Sequence, residues 1–66
     1  MWTVVYIAPN RAVAEMLKDI LTREGLLVML RPGSPVHFGD SGNFEILVPE
    51  GEVDEAHEVL ASVLGG

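Results

Sequence analysis

The polar residues most able to do chemistry in this chain cluster in one stretch. Arg31, His37, Asp40 and Ser41 lie within eleven positions of one another, and Glu45 follows closely. An arginine among such neighbours suits an anionic ligand. His37 and Asp40, with Glu45 joining them, are the residue types that hold a cation. Recognised zinc sites use four ligands drawn mostly from cysteine and histidine at short, fixed spacings. Here there is one histidine in the cluster and no cysteine anywhere, so no metal site is assigned. Gly39-Asp40-Ser41-Gly42 also matches the local pattern around a serine-protease nucleophile. Nucleophilic catalysis needs a base within hydrogen-bond reach, an orienting carboxylate and an oxyanion hole on a rigid scaffold. The same four residues are equally good turn formers, and the turn reading is preferred.

Elsewhere the chemistry is thinner. His57 follows Asp54 by three positions and reads as a boundary residue sharing a hydrogen bond. Lys18 is the only lysine, so an enzyme using a Schiff base would have to use it. It has no glycine-rich phosphate loop near it. No constellation meets the geometric requirements of an active site; an enzyme is not expected, and neither is a cofactor.

These residues belong to a chain of 66 residues with ten acids, four bases and a net charge of −6. A single small domain spanning residues 1–66 is expected. Such a chain buries only about 60% of the surface its unfolded form exposes. Without disulfides its core rarely supplies more than ~3–5 kcal/mol, so burial against a partner would help. Nucleic-acid binders cluster bases on one face; four bases against ten acids exclude nucleic acid and anionic membranes as favoured partners. No apolar run approaches the ~20 residues a membrane-spanning helix needs. The N-terminus lacks the basic start of a signal peptide, and a cytoplasmic protein is expected.

The elements that must position the cluster follow from pattern. Trp2–Ala8 is aromatic and β-branched, the composition of a strand. Asn10 suits an N-cap, and Val13, Met16, Leu17, Ile20 and Leu21 make one apolar stripe. Gly25 suits a helix end, so the first helix is predicted over Arg11–Glu24. Leu26–Arg31 reads as a second strand and Pro32–Gly42 as a long loop. Asn43–Val48 alternates around Glu45 and reads as a third strand. Glu50–Leu64 is predicted as the second helix, burying Val53, Ala56, Leu60, Val63 and Leu64. Its early turns are acidic, which favours the positive end of the helix dipole.

The order β-α-β-β-α, with right-handed crossovers, gives an α+β fold. It is ferredoxin-like: a three-stranded antiparallel sheet of order 2-3-1, two helices on one face, and no fourth strand. Strand one is then an uncharged open edge, the kind that invites pairing with another chain. If Phe44, Ile46 and Val48 face the helices, the other face shows Leu27, Met29 and Leu47 mixed with Glu45 and Arg31. That is more apolar than a solvated sheet face usually is. A homodimer is expected, edge to edge or face to face, with Trp2, Val4, Tyr6, Leu27, Met29 and Leu47 as its candidate interface.

Val5-Tyr6, Ala8-Pro9-Asn10, Ala14-Glu15, Leu17, Leu21 and Gly25-Leu26 carry a resemblance. With Leu47-Val48-Pro49-Glu50, Glu55-Ala56 and Leu60, they resemble a family of short prokaryotic signal-transducing proteins, a domain of unknown function. The resemblance covers nearly the whole chain. It implies a ferredoxin-like domain distantly similar to the nitrogen-regulatory P-II proteins, whose loop between strands two and three contacts partners. This chain departs from P-II proteins in lacking the fourth strand and an evident basic cluster for nucleotides. Two functional readings result. The first is a non-enzymatic regulatory module, homodimeric, whose loop 32–42 meets a protein partner. The second is a small-molecule or metal-ion sensor using Arg31, His37, Asp40, Ser41 and Glu45.

Overall fold

Apolar strand residues and two amphipathic helices assemble into two layers in the computed structural model, which describes residues 1–33 and 42–65. The elements are β1 (Trp2–Ala8), α1 (Arg11–Arg23), β2 (Met29–Pro32), β3 (Phe44–Pro49), a short 3-10 turn (Glu50–Glu52) and α2 (Val53–Leu64). The sheet is antiparallel throughout with order β1-β3-β2, so β3 is central and β1 and β2 are its edges. This is the expected ferredoxin-like arrangement.

The helix ends behave as their sequences require. Asn10 is extended and its side chain accepts the Val13 N–H at 2.9 Å, satisfying one of the helix's unpaired donors. Gly25 has φ +89, a left-handed conformation that costs a side-chain-bearing residue free energy. Replacing Asn10 by alanine leaves the Val13 N–H without its partner. A loss of about 1 kcal/mol is expected, within the 0.5–2 kcal/mol spread for such caps, measurable by urea denaturation. An unchanged midpoint would mean that water replaces the cap at no cost.

Between the layers, Ala8, Ala14, Leu17, Leu21, Leu26, Ile46, Val48, Ala56 and Leu60 form the buried core. Val5, Tyr6, Val13, Ile20, Val28, Leu30, Phe44, Val53 and Val59 pack around it. The small side chain of Ala14 centres the α1 stripe on Ala14, Leu17 and Leu21. Met16, about 100° around the helix from Leu17, is consequently 49% exposed rather than part of the stripe. On α2 the contact rests on Ala56 and Leu60, and Val63 and Leu64 at the end of the helix remain exposed.

Boundaries differ from those predicted at four elements. α1 ends at Arg23, with Glu24 as its cap. β2 begins at Met29, not Leu26. Continuing its ladder with β3 beyond Met29↔Leu47 would bring Leu27 opposite Pro49, which has no N–H to donate. The Leu27 N–H instead donates to Glu52 Oε1 at 3.0 Å. The second helix starts with a 3-10 turn, whose first residue, Glu50, donates its N–H to the Met1 carbonyl at 2.8 Å. That turn therefore ties down both edges of the sheet at one end. β3 itself runs one residue later than expected, through Pro49.

A further difference lies within β1. Val4 pairs with Leu47, but Tyr6 pairs with Ile46, so Val5 is an extra residue, a β-bulge. A bulge shifts the alternation of sides by one. Trp2 and Val4 lie on the open face, Val5 and Tyr6 turn toward the helices, and Ile7 returns to the open face. Tyr6, expected to share a surface with Trp2 and Val4, packs against the core instead.

Candidate functional site

The register of the sheet sets the geometry of its uncovered face. Across β1, β3 and β2, one row is Val4–Leu47–Met29, and the next is Ile7–Glu45–Arg31. Trp2 opposite Pro49 continues the first strand outward. Leu47 is 2% exposed although it lies outside the helix-side core, because its neighbours in the sheet enclose it. Around it Trp2, Val4, Ile7 and Met29 are each between 37% and 55% exposed. Leu27, ahead of β2, is 62% exposed. Large apolar side chains thus surround a filled centre on a face that no other element of the described chain covers.

The two charged residues of this face neutralise each other. Arg31 donates to Glu45 Oε1 from Nε at 2.7 Å, and its Nη2 lies 2.6 Å from the same oxygen. They are direct cross-strand partners, the arrangement in which opposite charges stabilise an antiparallel pair. Part-exposed ion pairs of this kind contribute only about 0–1 kcal/mol. The chemical consequence is larger: an anion at Arg31 must displace Glu45, and a cation at Glu45 must displace Arg31.

Of the sequence-derived ligand residues, Arg31 and Glu45 are brought together. His37, Asp40 and Ser41 lie outside the described residues. The base of the hairpin carrying them is closed by the Gly33 N–H donating to the Asn43 carbonyl at 2.9 Å. Among the described residues, no three His, Cys, Asp or Glu side chains form a group able to hold a metal ion. No described helix is long and apolar enough to cross a membrane.

Two features escaped the sequence pattern. Ile7 belongs to the open face, and only the bulge at Val5 puts it there. A groove between the helices is lined by Ile20, Glu24, Glu58, Val59, Ser62 and Val63. The i,i+4 pairs Ile20/Glu24 and Val59/Val63 were the available signal for it.

The described residues form a two-layer α+β domain whose sheet leaves one apolar face exposed around the paired Arg31 and Glu45. Residues 2–63 match the family described as "putative prokaryotic signal transducing protein", and the chain belongs to that family. Among curated proteins nothing matches the chain, and no solved structure matches it either.

Proposed function

We propose that this chain is a non-enzymatic signal-transducing module of the cytoplasm. It works as a homodimer joined through the open face of the sheet, with residues 32–42 left to contact a protein partner. The observation that carries this reading is the apolar face of Trp2, Val4, Ile7, Met29 and Leu27 around the enclosed Leu47. Contiguous apolar surface of this kind marks an interaction site in a water-soluble domain.

Two features favour a second copy on that face over pairing at the β1 edge. The bulge at Val5 breaks the regular ladder of that edge, a device that discourages strand addition. Charge points the same way. In the helical layer α2 holds Asp54, Glu55 and Glu58 with no lysine or arginine, so two copies repel where their second helices meet. The sheet holds only the paired Arg31 and Glu45 among described charges, and two sheets meet without that penalty.

A thermal-shift screen separates this module from the sensor reading. A ligand at 100 times its Kd stabilises by about 2.7 kcal/mol. At roughly 4–8 °C per kcal/mol for so small a domain, that is a rise of about 10–20 °C. Divalent metals, nucleotides and amino acids are expected to leave Tm unchanged. A rise of that size that is lost in Arg31→Ala or His37→Ala would establish the sensor instead.

A further inference from the structure

We infer that the groove between α1 and α2 is a second docking surface, fitted to a basic amphipathic helical segment of another protein. It lies on the helical layer, and the inference stands whether or not the sheet joins two copies.

The groove is an open cleft of about 270 Å³. Its lining is about equally polar and apolar; the apolar part, its floor, is Ile20 from the last turn of α1 with Val59 and Val63 from the C-terminal half of α2. Val63 is 41% exposed, so the floor is accessible from solvent. Glu24, Glu58 and Ser62 form the polar part of its lining. Pockets for drug-sized molecules run from about 300 to 1,000 Å³ and enclose most of the ligand. This cleft is smaller and open, the shape that receives one or two apolar side chains from a segment lying across it.

Charge selects the segment. Among the described residues, neither Glu24 nor Glu58 takes part in a side-chain hydrogen bond or ion pair. Glu24 is moreover the C-cap of α1, where the negative end of the helix dipole disfavours a carboxylate. α2 carries neither lysine nor arginine along its length, so its C-terminal carbonyls, unlike those of α1 beside Arg23, lack a cation. A cation brought from outside would relieve all three. Lysines flanking an apolar residue at helical spacing satisfy floor and rim together, the helix-in-groove mode of recognition. The α2 of a second copy, which carries Asp54, Glu55 and Glu58 and no lysine or arginine, would be repelled here, and so would nucleic acid.

The test uses a fourteen-residue peptide (probe length ~14) of leucine and lysine in amphipathic helical order, whose apolar face follows the helix period. It is titrated into the ¹⁵N-labelled protein. Amide shifts are expected at Ile20, Glu24, Val59 and Val63. The double substitution Glu24→Gln/Glu58→Gln should weaken binding about tenfold, since each rim pair contributes a few-fold. Glu15→Gln/Glu50→Gln, which removes the same charge elsewhere, should leave the affinity within about twofold, because exposed charges beyond a Debye length are screened. A leucine–glutamate peptide of the same order should not bind. The proposal is overturned if the lysine peptide does not bind, if its shifts map to the sheet face, or if both double variants weaken it equally.

Discussion

Acid placed on the open face of the sheet is expected to abolish the proposed dimer while leaving the fold intact. In Ile7→Glu/Met29→Glu the two side chains are already 55% and 37% exposed, so both carboxylates can reach solvent in the monomer. In a two-fold interface every substitution occurs twice. The four added carboxylates would meet across the contact with Arg31 already occupied by Glu45. Desolvating unpaired charge costs several kcal/mol, and a rise in the dimer Kd of at least about a hundredfold is expected from ~1.4 kcal/mol per decade. Circular dichroism should be unchanged and light scattering should report a monomer. Tyr6→Glu is the informative contrast. Tyr6 packs against the core on the other side of the bulge, so its substitution should damage folding rather than association alone. Were Ile7→Glu/Met29→Glu to remain fully dimeric, the contact would lie elsewhere.

The second large effect is expected in the core. Leu17 has no exposed surface and sits at the centre of the α1 stripe against the sheet. Truncating a buried leucine to alanine removes its transfer free energy and leaves a cavity, together costing about 2–5 kcal/mol. A domain of this size without disulfides has about 3–5 kcal/mol to lose. Leu17→Ala is therefore expected to be largely unfolded at 25 °C, seen as loss of helical circular dichroism and of a cooperative urea transition. Cooperative unfolding with a midpoint near that of the parent would mean that the helix–sheet interface contributes far less than its burial indicates.

These contrasts also show what was readable before any coordinates. The caps were, because Asn10 and Gly25 are residue types with a local physical reason for their positions. The order of elements and the central place of β3 followed from the β-α-β-β-α pattern and the antiparallel hairpin. The outward parity of Met29, Arg31, Glu45 and Leu47 was legible because Glu45 breaks an apolar run and reports the alternation. β1 offered no such marker. In Trp-Thr-Val-Val-Tyr-Ile-Ala nearly every residue is apolar, so a one-residue shift at Val5 leaves the pattern unchanged while exchanging Tyr6 for Ile7 on the open face.

The start of β2 was hidden for a different reason. Leu26, Leu27 and Val28 have strand-like composition, but whether they pair depends on Pro49, a residue more than twenty positions away that offers no N–H. The candidate ligand cluster was legible only as a list of residue types. That Arg31 and Glu45 are spent on each other is a matter of register, and register is a property of two strands rather than of either one.

Sedimentation equilibrium of the unmodified chain, from dilute to concentrated solution, tests the shared face most directly. The expected result is a concentration-dependent rise to twice the 7.1 kDa chain mass. A mass that stays at that of one chain at every concentration would contradict the account.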